Sequence, residues 1–251
     1  MKTIDFYQEV SQLLRNHTSV RKYKQKDIPF ETLKDLLSSA QHAASSNFVQ
    51  AYSVIAVTDE AKQKEIGILS NNQPQINSAP ILLLFCADMK RLEHACRKKK
   101  ADIEQQTTEN FIVSVIDTAL FAQNFVIAAE SSGYGICFIG GVRNNPEEIS
   151  KIVGLPDKTF PLFGMTIGVP DEQHLVKPRL PVEAILHENQ YDEKKYERII
   201  GEYDQTISEY YQKRLTNNKN SDWSETMSTF LSEKRREHMK AFLIDRGFLL
   251  E

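Results

Sequence analysis

The sequence is poor in cysteine, tryptophan and glycine, with three, one and ten residues respectively in a chain of 251. Three cysteines cannot all pair, and none of Cys86, Cys96 and Cys137 stands in a C-x-x-C spacing. That excludes a disulfide scaffold and leaves structural thiols in a reduced, cytoplasmic protein as the expectation. One-sided charge is missing too. The 31 basic and 34 acidic residues leave a formal charge of −3, without the basic excess of a surface that coats nucleic acid. The longest apolar run, Ile81 to Ala87, is far too short for a bilayer. Met1-Lys2-Thr3-Ile4-Asp5 shows no basic and apolar leader pattern. Neither nucleic acid nor membrane is therefore expected as a partner.

The familiar chemical motifs are also missing. There is no G-x-G-x-x-G, no G-x-x-x-x-G-K-[ST], no H-E-x-x-H and no G-x-S-x-G. His94-x-Cys96 offers two soft ligands where zinc needs three or four. It reads as a surface turn beside Arg97-Lys98-Lys99-Lys100, a solvated basic run balanced by Asp102 and Glu104.

What is present is periodicity. Ile4, Tyr7, Val10, Leu13 and Leu14 predict an opening amphipathic helix, and Leu33, Leu36, Leu37 and Ala40 a second one after Pro29. Ser53 to Val57 and Pro80 to Cys86 read as buried strands, with a helix through Ile66 and Leu69 between them. Residues 109–132 are apolar on nearly every face, so the spacing predicts a centrally buried helix, closed by Gly133. Ile136 to Ile139 and residues 160–168 supply two more strands. Between them, Asn144-Asn145-Pro146-Glu147-Glu148 predicts an Asn-capped helix start, and that helix stops at Gly154. Beyond 192, Tyr196, Ile199, Ile200, Tyr203, Ile207 and Tyr210 repeat at helical spacing. A polar stretch from Thr216 to Asp222 leads to a last helical segment, an extension reaching elsewhere. Helices and strands interleave without a regular βαβ rhythm, which predicts an α+β fold with helices on both faces of a sheet. No repeat and no Gly/Ser linker divides residues 1–251, so a single domain is expected, with 192–251 as its C-terminal extension.

Four clusters at element boundaries suit an anionic, flat ligand. His17-Thr18-Ser19-Val20-Arg21 brings two cations and two hydroxyls together, and Lys177-Pro178-Arg179-Leu180-Pro181 carries two cations on stiffened backbone. Ala44-Ser45-Ser46-Asn47-Phe48-Val49-Gln50 offers small polar groups. Phe138-Ile139-Gly140-Gly141-Val142-Arg143 offers bare backbone amides. Each alone is as readily a cap or a salt bridge. Their order along the chain carries more.

In that order, the sequence resembles the nitroreductase superfamily. The branch is that of NADPH-dependent flavin reductases and oxygen-insensitive nitroreductases of the nitroreductase A, or flavin reductase P, type. The resemblance runs over essentially the whole chain. It takes in His17-x-Ser19-x-Arg21, Ser45-Ser46-x-Phe48-x-Gln50, Gln73, Phe85-Cys86-Ala87-Asp88 and Ala128-Ala129-Glu130-Ser131. It continues through Ile139-Gly140-Gly141-x-Arg143-Asn144-Asn145, Pro161-Leu162-Phe163-Gly164, Lys177-Pro178-Arg179-Leu180-Pro181, Tyr203-Asp204, Glu209-Tyr210-Tyr211 and Trp223-Ser224. It departs at Thr18, where the family often has Arg, and at Asn71-Asn72, where a Gly pair is usual.

The resemblance implies a three-layer α/β/α sandwich around a mixed, mostly antiparallel sheet. It also implies a C-terminal helical extension, a domain-swapped homodimer, and FMN as cofactor at the subunit interface. His17, Ser19, Lys177 and Arg179 would hold the FMN phosphate, with Thr18 beside them in the cofactor-binding set. Arg21 would face the ring's N1/O2 edge and Gln73 the pyrimidine edge. Ile139, Gly140 and Gly141 would line the ring, with Gly140 offering its N–H near N5, so that Arg21 and Gly140 are the catalytic positions. Ser45 and Ser46 would reach in from the partner chain. Arg214 and Lys219, flanking Leu215-Thr216-Asn217-Asn218, would bind the NADPH 2′-phosphate. The implied reaction is ping-pong hydride transfer from NADPH to free flavin, nitroaromatics or quinones. A flavin-binding storage or redox-sensing module and a nucleotide-gripping hydrolase are the rival readings.

Overall fold

The computed structural model describes residues 2–103, 107–214 and 218–248, and of residues 2–8 the backbone alone. The chain divides into two compact units. The first runs through Gln173 and resumes at Arg236; the second is His174–Arg235.

The first unit is built on a four-stranded sheet of β1 (Tyr52–Val57), β2 (Ile81–Asp88), β3 (Gly135–Ile139) and β4 (Thr159–Gly168), in the order β1-β2-β4-β3. Every described ladder is antiparallel, so the parallel component of a mixed sheet does not occur among the described residues. The reason is topological. β2 and β3 run in the same direction, but β4 lies between them, and the two like-directed strands never pair.

Alternation along β2 builds the two sides of the sheet. Leu83 and Phe85 join the helices α2 (Phe30–Ala40) and α6 (Thr108–Ser131) through Leu33, Leu36, Phe121 and Phe125. Leu82, Leu84 and Cys86 face the other way. There they meet α3 (Glu60–Leu69), α4 (Pro74–Ser78) and α7 (Pro146–Val153) through Ile66, Ile76 and Ile149. The result is three layers with β2 buried along its whole length. The opening helix α1 spans Lys2–Arg15; its expected apolar positions Ile4 and Tyr7 fall where side chains are not described. Gly133 (φ +80°) and Gly154 (φ +67°) end α6 and α7 in the left-handed conformation the sequence predicts.

Three local expectations change. Asn145 precedes α7, but its side chain makes no cap; Nδ2 donates instead to Leu69 O at 2.7 Å, tying α7 to the end of α3. His94 and Cys96 lie within helix α5 (Lys90–Lys98), not in a turn. Arg97 of the basic run pairs with Glu93 one turn earlier at 2.9 Å rather than with Asp102; Glu104 lies outside the described residues. Glu93 is a hub, nearly buried and also paired with Lys90 (2.7 Å) and Lys158. These ammonium groups, Lys158 first, hold its carboxyl well below the usual carboxylate range, at about 2.

The long helix α6 also departs from expectation. By length and composition it is apolar enough to cross a membrane, yet Phe121, Phe125, Val126 and Ala129 pack it on the sheet as a core helix. It is not buried all round. Ile112, Ile116 and Leu120, four residues apart and so on one face, are 43%, 49% and 42% exposed.

In the second unit, α8 (Val182–Ile185) precedes α9 (Tyr196–Lys213) and α10 (Trp223–Ser232). Tyr203, Ile207 and Tyr211 of α9 form its small core with Leu180 and Trp223. Residues 215–217, which include the start of the polar stretch, lie outside the described residues. The final helix α11 (Met239–Asp245) belongs to the first unit, where Phe242, Leu243 and Phe248 pack on Phe160 and Met89.

Candidate functional site

The segment 17–24 leaves α1 and is laced to the sheet from behind. Val20 N–H donates to Ile136 O (2.8 Å), Lys24 N–H to Val169 O (2.9 Å), and Asp171 N–H to Lys22 O (3.0 Å). Glu172, just past β4, accepts from the N–H groups of Arg21 (2.5 Å) and Lys22 (3.1 Å). Tyr23 is buried and donates to Val20 O at 2.6 Å; burial pushes its phenol well above the ordinary range. With the backbone so fixed, Arg21 projects an exposed guanidinium, while His17, Thr18 and Ser19 are half-buried. His17 Nδ1 lies 2.5 Å from Glu130 Oε1 on the last turn of α6.

A second corner closes beside this segment. Asn71 and Asn72 both take left-handed backbone (φ +69° and +53°), a conformation Asn tolerates better than other non-glycine residues. That explains how two asparagines serve where a glycine pair is usual. Gln73 follows, half-buried, with its Oε1 accepting from Gln75 Nε2 at 2.8 Å. On α4, Ser78 Oγ donates to Arg21 O at 3.5 Å, so the Gln73 helix and the Arg21 segment touch. Gly141 completes the corner. A Cβ there would stand 2.4 Å from Ser70 O, a backbone atom, so no larger residue fits without displacing the chain. Gly140 is different: a Cβ would meet only Arg143 Nη2, at 3.4 Å. Ile139 buries its side chain in the core and leaves only backbone to the corner.

The donor set fits the expected FMN. A phosphate needs cations and hydroxyls, which His17, Thr18 and Ser19 supply. A flavin edge needs a guanidinium and a carboxamide, which Arg21 and Gln73 supply. A flat ring needs a floor without side chains, and the Gly140-Gly141 turn is one.

Ser45 and Ser46 belong to another part of the first unit, where a carboxylate absent from the sequence expectations dominates. Asp117, fully buried on α6, accepts from Ser45 Oγ (2.7 Å), Ser46 N–H (3.1 Å) and Ala51 N–H (3.1 Å). Ser45 Oγ in turn accepts from Gln50 N–H at 2.8 Å. Between these anchors Asn47, Phe48 and Gln50 all have positive φ, a strain of about 1–3 kcal/mol each, and Phe48 is 79% exposed. The signal for Asp117 was available: it is the one acid between Glu109 and Glu130 in an apolar helix, and a buried charge demands donors.

The second unit gathers the remaining cations. Tyr203 Oη donates to Pro178 O (2.9 Å) and Tyr210 Oη to Leu175 O (3.3 Å), which tie residues 175–179 to α9. Lys177 Nζ donates to Tyr211 Oη at 3.2 Å and lies over that ring. Arg214 lies 5.7 and 5.8 Å from the ring centres of Tyr210 and Tyr211, and Lys219 lies 6.0 Å from that of Tyr211. Arg179 is exposed and donates to Lys177 O at 2.9 Å. Lys177, expected beside Arg179 on a cofactor phosphate, thus shares one tyrosine with the two residues expected on the nicotinamide phosphate.

Comparison with known proteins gives the chain's relatives. The model of the nitroreductase family matches residues 14–169, and that of the nitroreductase family C-terminal domain matches residues 177–251. The chain is 52% identical over 239 residues to a Cr(VI) reductase of Pseudomonas sp. (strain G-1), covering 95% of this chain and 98% of that protein. It is 38% identical to the FMN reductase (NADPH) of Bacillus subtilis (strain 168), covering 93% and 95% of the two chains. Among solved structures, the NfrA1 nitroreductase of B. subtilis superposes with a TM-score of 0.92 at 37% identity, over 96% of this chain and all of that one.

Proposed function

The chain belongs to the nitroreductase family, and we propose that it is an FMN-dependent oxidoreductase working by a two-step exchange at one face of the cofactor. The observation that carries this reading is the corner where Arg21, Gln73 and the Gly140-Gly141 turn converge, each fixed through its backbone or a direct neighbour. When bound, FMN would supply the redox chemistry, namely hydride acceptance from NADPH and two-electron delivery to a second substrate.

The chain's own residues bind and orient. His17, Thr18 and Ser19, together with Lys177 and Arg179, are assigned to the cofactor phosphate. Arg21 is assigned to the ring edge where negative charge collects on reduction; a guanidinium fixed there favours the reduced form over the oxidised one. Gln73 orients the pyrimidine edge, and Gly140 gives its N–H at the reacting edge. Arg214 and Lys219 are assigned to the NADPH 2′-phosphate. Residues 1–251 act as one functional domain, 192–251 being the extension that carries the nicotinamide loop.

The protein acts as a homodimer, with Ser45 and Ser46 serving the partner's flavin. The exposed Ile112, Ile116 and Leu120 ridge on α6 supports this, because an apolar stripe of that regularity is ordinarily covered. The acceptors include flavins, quinones and nitroaromatics. Chromate joins them, given the name carried by the relative at 52% identity.

The test has three legs. Purified protein should carry FMN, bleach rapidly with NADPH under nitrogen, and sediment as a dimer. Initial rates against each acceptor should give parallel double-reciprocal lines. Retained flavin that NADPH does not bleach would favour a storage or sensing module instead. Intersecting lines would exclude the two-step exchange.

A further inference from the structure

The phosphate role of His17 leaves its closest neighbour unexplained. Glu130 meets Nδ1 of that imidazole at 2.5 Å, across 113 residues of sequence, with the two side chains only 14% and 28% exposed. An ionised carboxylate can only accept, so the proton between them sits on Nδ1. That commitment fixes the ring plane and turns Nε2, on the opposite edge of the ring, away from Glu130. Beside a phosphate an imidazole binds well only as a donor, and a carboxylate behind it compensates the cation it must then be.

Two further observations single the pair out. Glu130 lies in the last turn of α6, where the helix dipole disfavours an acid. The 17–24 segment also does not need this tie for its position, since bonds to Ile136, Val169 and Glu172 already hold it.

We propose that Glu130 is a positioning residue for the cofactor phosphate, holding His17 with Nδ1–H turned inward so that Nε2 is presented to FMN. This rests on the phosphate role of His17 given above. A plain structural tie would weaken all flavin binding alike, whereas a positioning role acts only on the flavin that carries a phosphate. Dissociation constants for FMN and riboflavin, read by flavin fluorescence on the full-length protein, separate the two.

Glu130→Gln should raise the FMN constant about tenfold, the scale of one charge-assisted hydrogen bond, and the riboflavin constant less than about twofold. In a His17→Ala background the same substitution should change FMN binding less than about twofold, because its effect passes through the imidazole. Glu130→Asp, which keeps the charge, stands in if the glutamine variant is insoluble, and should fall between wild type and Glu130→Gln. The 15N signal of His17 should report a protonated Nδ1 in wild type and lose that signature in Glu130→Ala, which leaves no oxygen to accept from it. Equal losses for the two flavins, or an undiminished effect without His17, overturn the proposal. So does a His17→Ala effect on FMN unaccompanied by any from Glu130. If His17→Ala leaves the FMN-to-riboflavin ratio unchanged, the phosphate role of His17 itself fails, and the positioning role with it.

Discussion

Set side by side, the two units hold their charged residues in contrasting ways. In the first, Arg21, His17 and the Gly140-Gly141 turn are fastened from behind by backbone hydrogen bonds, a carboxylate and a glycine pressed against Ser70. In the second, Lys177, Arg214 and Lys219 stand over two tyrosine rings on α9. A ring face attracts a cation but fixes it loosely, since the interaction is worth only about 0.5–1 kcal/mol where water has access. Rigid donors suit a ligand that stays, because ordering was completed on folding. Yielding donors suit a ligand that enters and leaves each turnover. The contrast is the one expected if Arg21 and His17 serve a resident cofactor and Arg214 and Lys219 an exchanging co-substrate; Lys177, assigned to the cofactor yet seated on a tyrosine ring, is the exception to it.

The largest effect that tests this contrast is at Gly141. Gly141→Ala drives a methyl into the Ser70 carbonyl at 2.4 Å and should cost about 3 kcal/mol in urea unfolding, the upper range for overpacking. Gly140→Ala, whose methyl would meet only the end of the Arg143 side chain at 3.4 Å, should cost less than about 1 kcal/mol. Equal losses would mean the corner is no more rigid at one glycine than at the other.

Next comes Arg179→Ala. Its guanidinium is exposed and donates to the neighbouring Lys177 carbonyl. Removal should weaken FMN binding about tenfold to a hundredfold, as expected for a charge-assisted phosphate contact, and leave turnover at saturating FMN within about threefold. Unchanged affinity in a fluorescence titration would remove Arg179 from the phosphate set.

The smallest of the three concerns Arg214. Arg214→Ala should cut the preference for NADPH over NADH, measured as kcat/KM, by about tenfold. In the wild type that preference should shrink as salt rises, because exposed phosphate contacts are screened. A preference that survives both the substitution and salt would place the selectivity elsewhere.

Much of the fold was legible because period and punctuation agree. Leu33, Leu36 and Ala40 mark one helix, β2 is one uninterrupted apolar run, and Gly133 and Gly154 stop their helices where glycine is cheapest. Strand order was not legible, since nothing local in β3 says that β4 will separate it from β2. The site residues were found through ordered short motifs, but their supports were not. Asp117 and Glu172 act through backbone N–H groups distant in sequence, and no spacing rule connects them to Ser46 or Arg21. The open face of α6 was misread as buried because composition reports only that Ile112, Ile116 and Leu120 are apolar. It does not report whether their cover comes from the same chain.

The carboxylate hub at Glu93 has a consequence for how the chain is closed. After its excursion through the second unit, the polypeptide returns to the segment just before β4: Lys158 N–H donates to Arg246 O at 2.8 Å, and Arg246 Nη2 donates to Leu155 O at 2.9 Å. Lys158 is thus a shared rivet, its backbone gripping the returning tail and its side chain gripping α5 through Glu93. Because the Glu93 carboxyl is held near about 2 against 4.5 when unpaired, this fastening is complete at neutral pH. It slackens only as acidity carries the solution from about pH 4.5 down toward 2, when the carboxylate takes up its proton. Acid should loosen the tail before the sheet. Amide exchange around Phe242 and Phe248 should accelerate over that window, and in Glu93→Gln it should already be fast at pH 7.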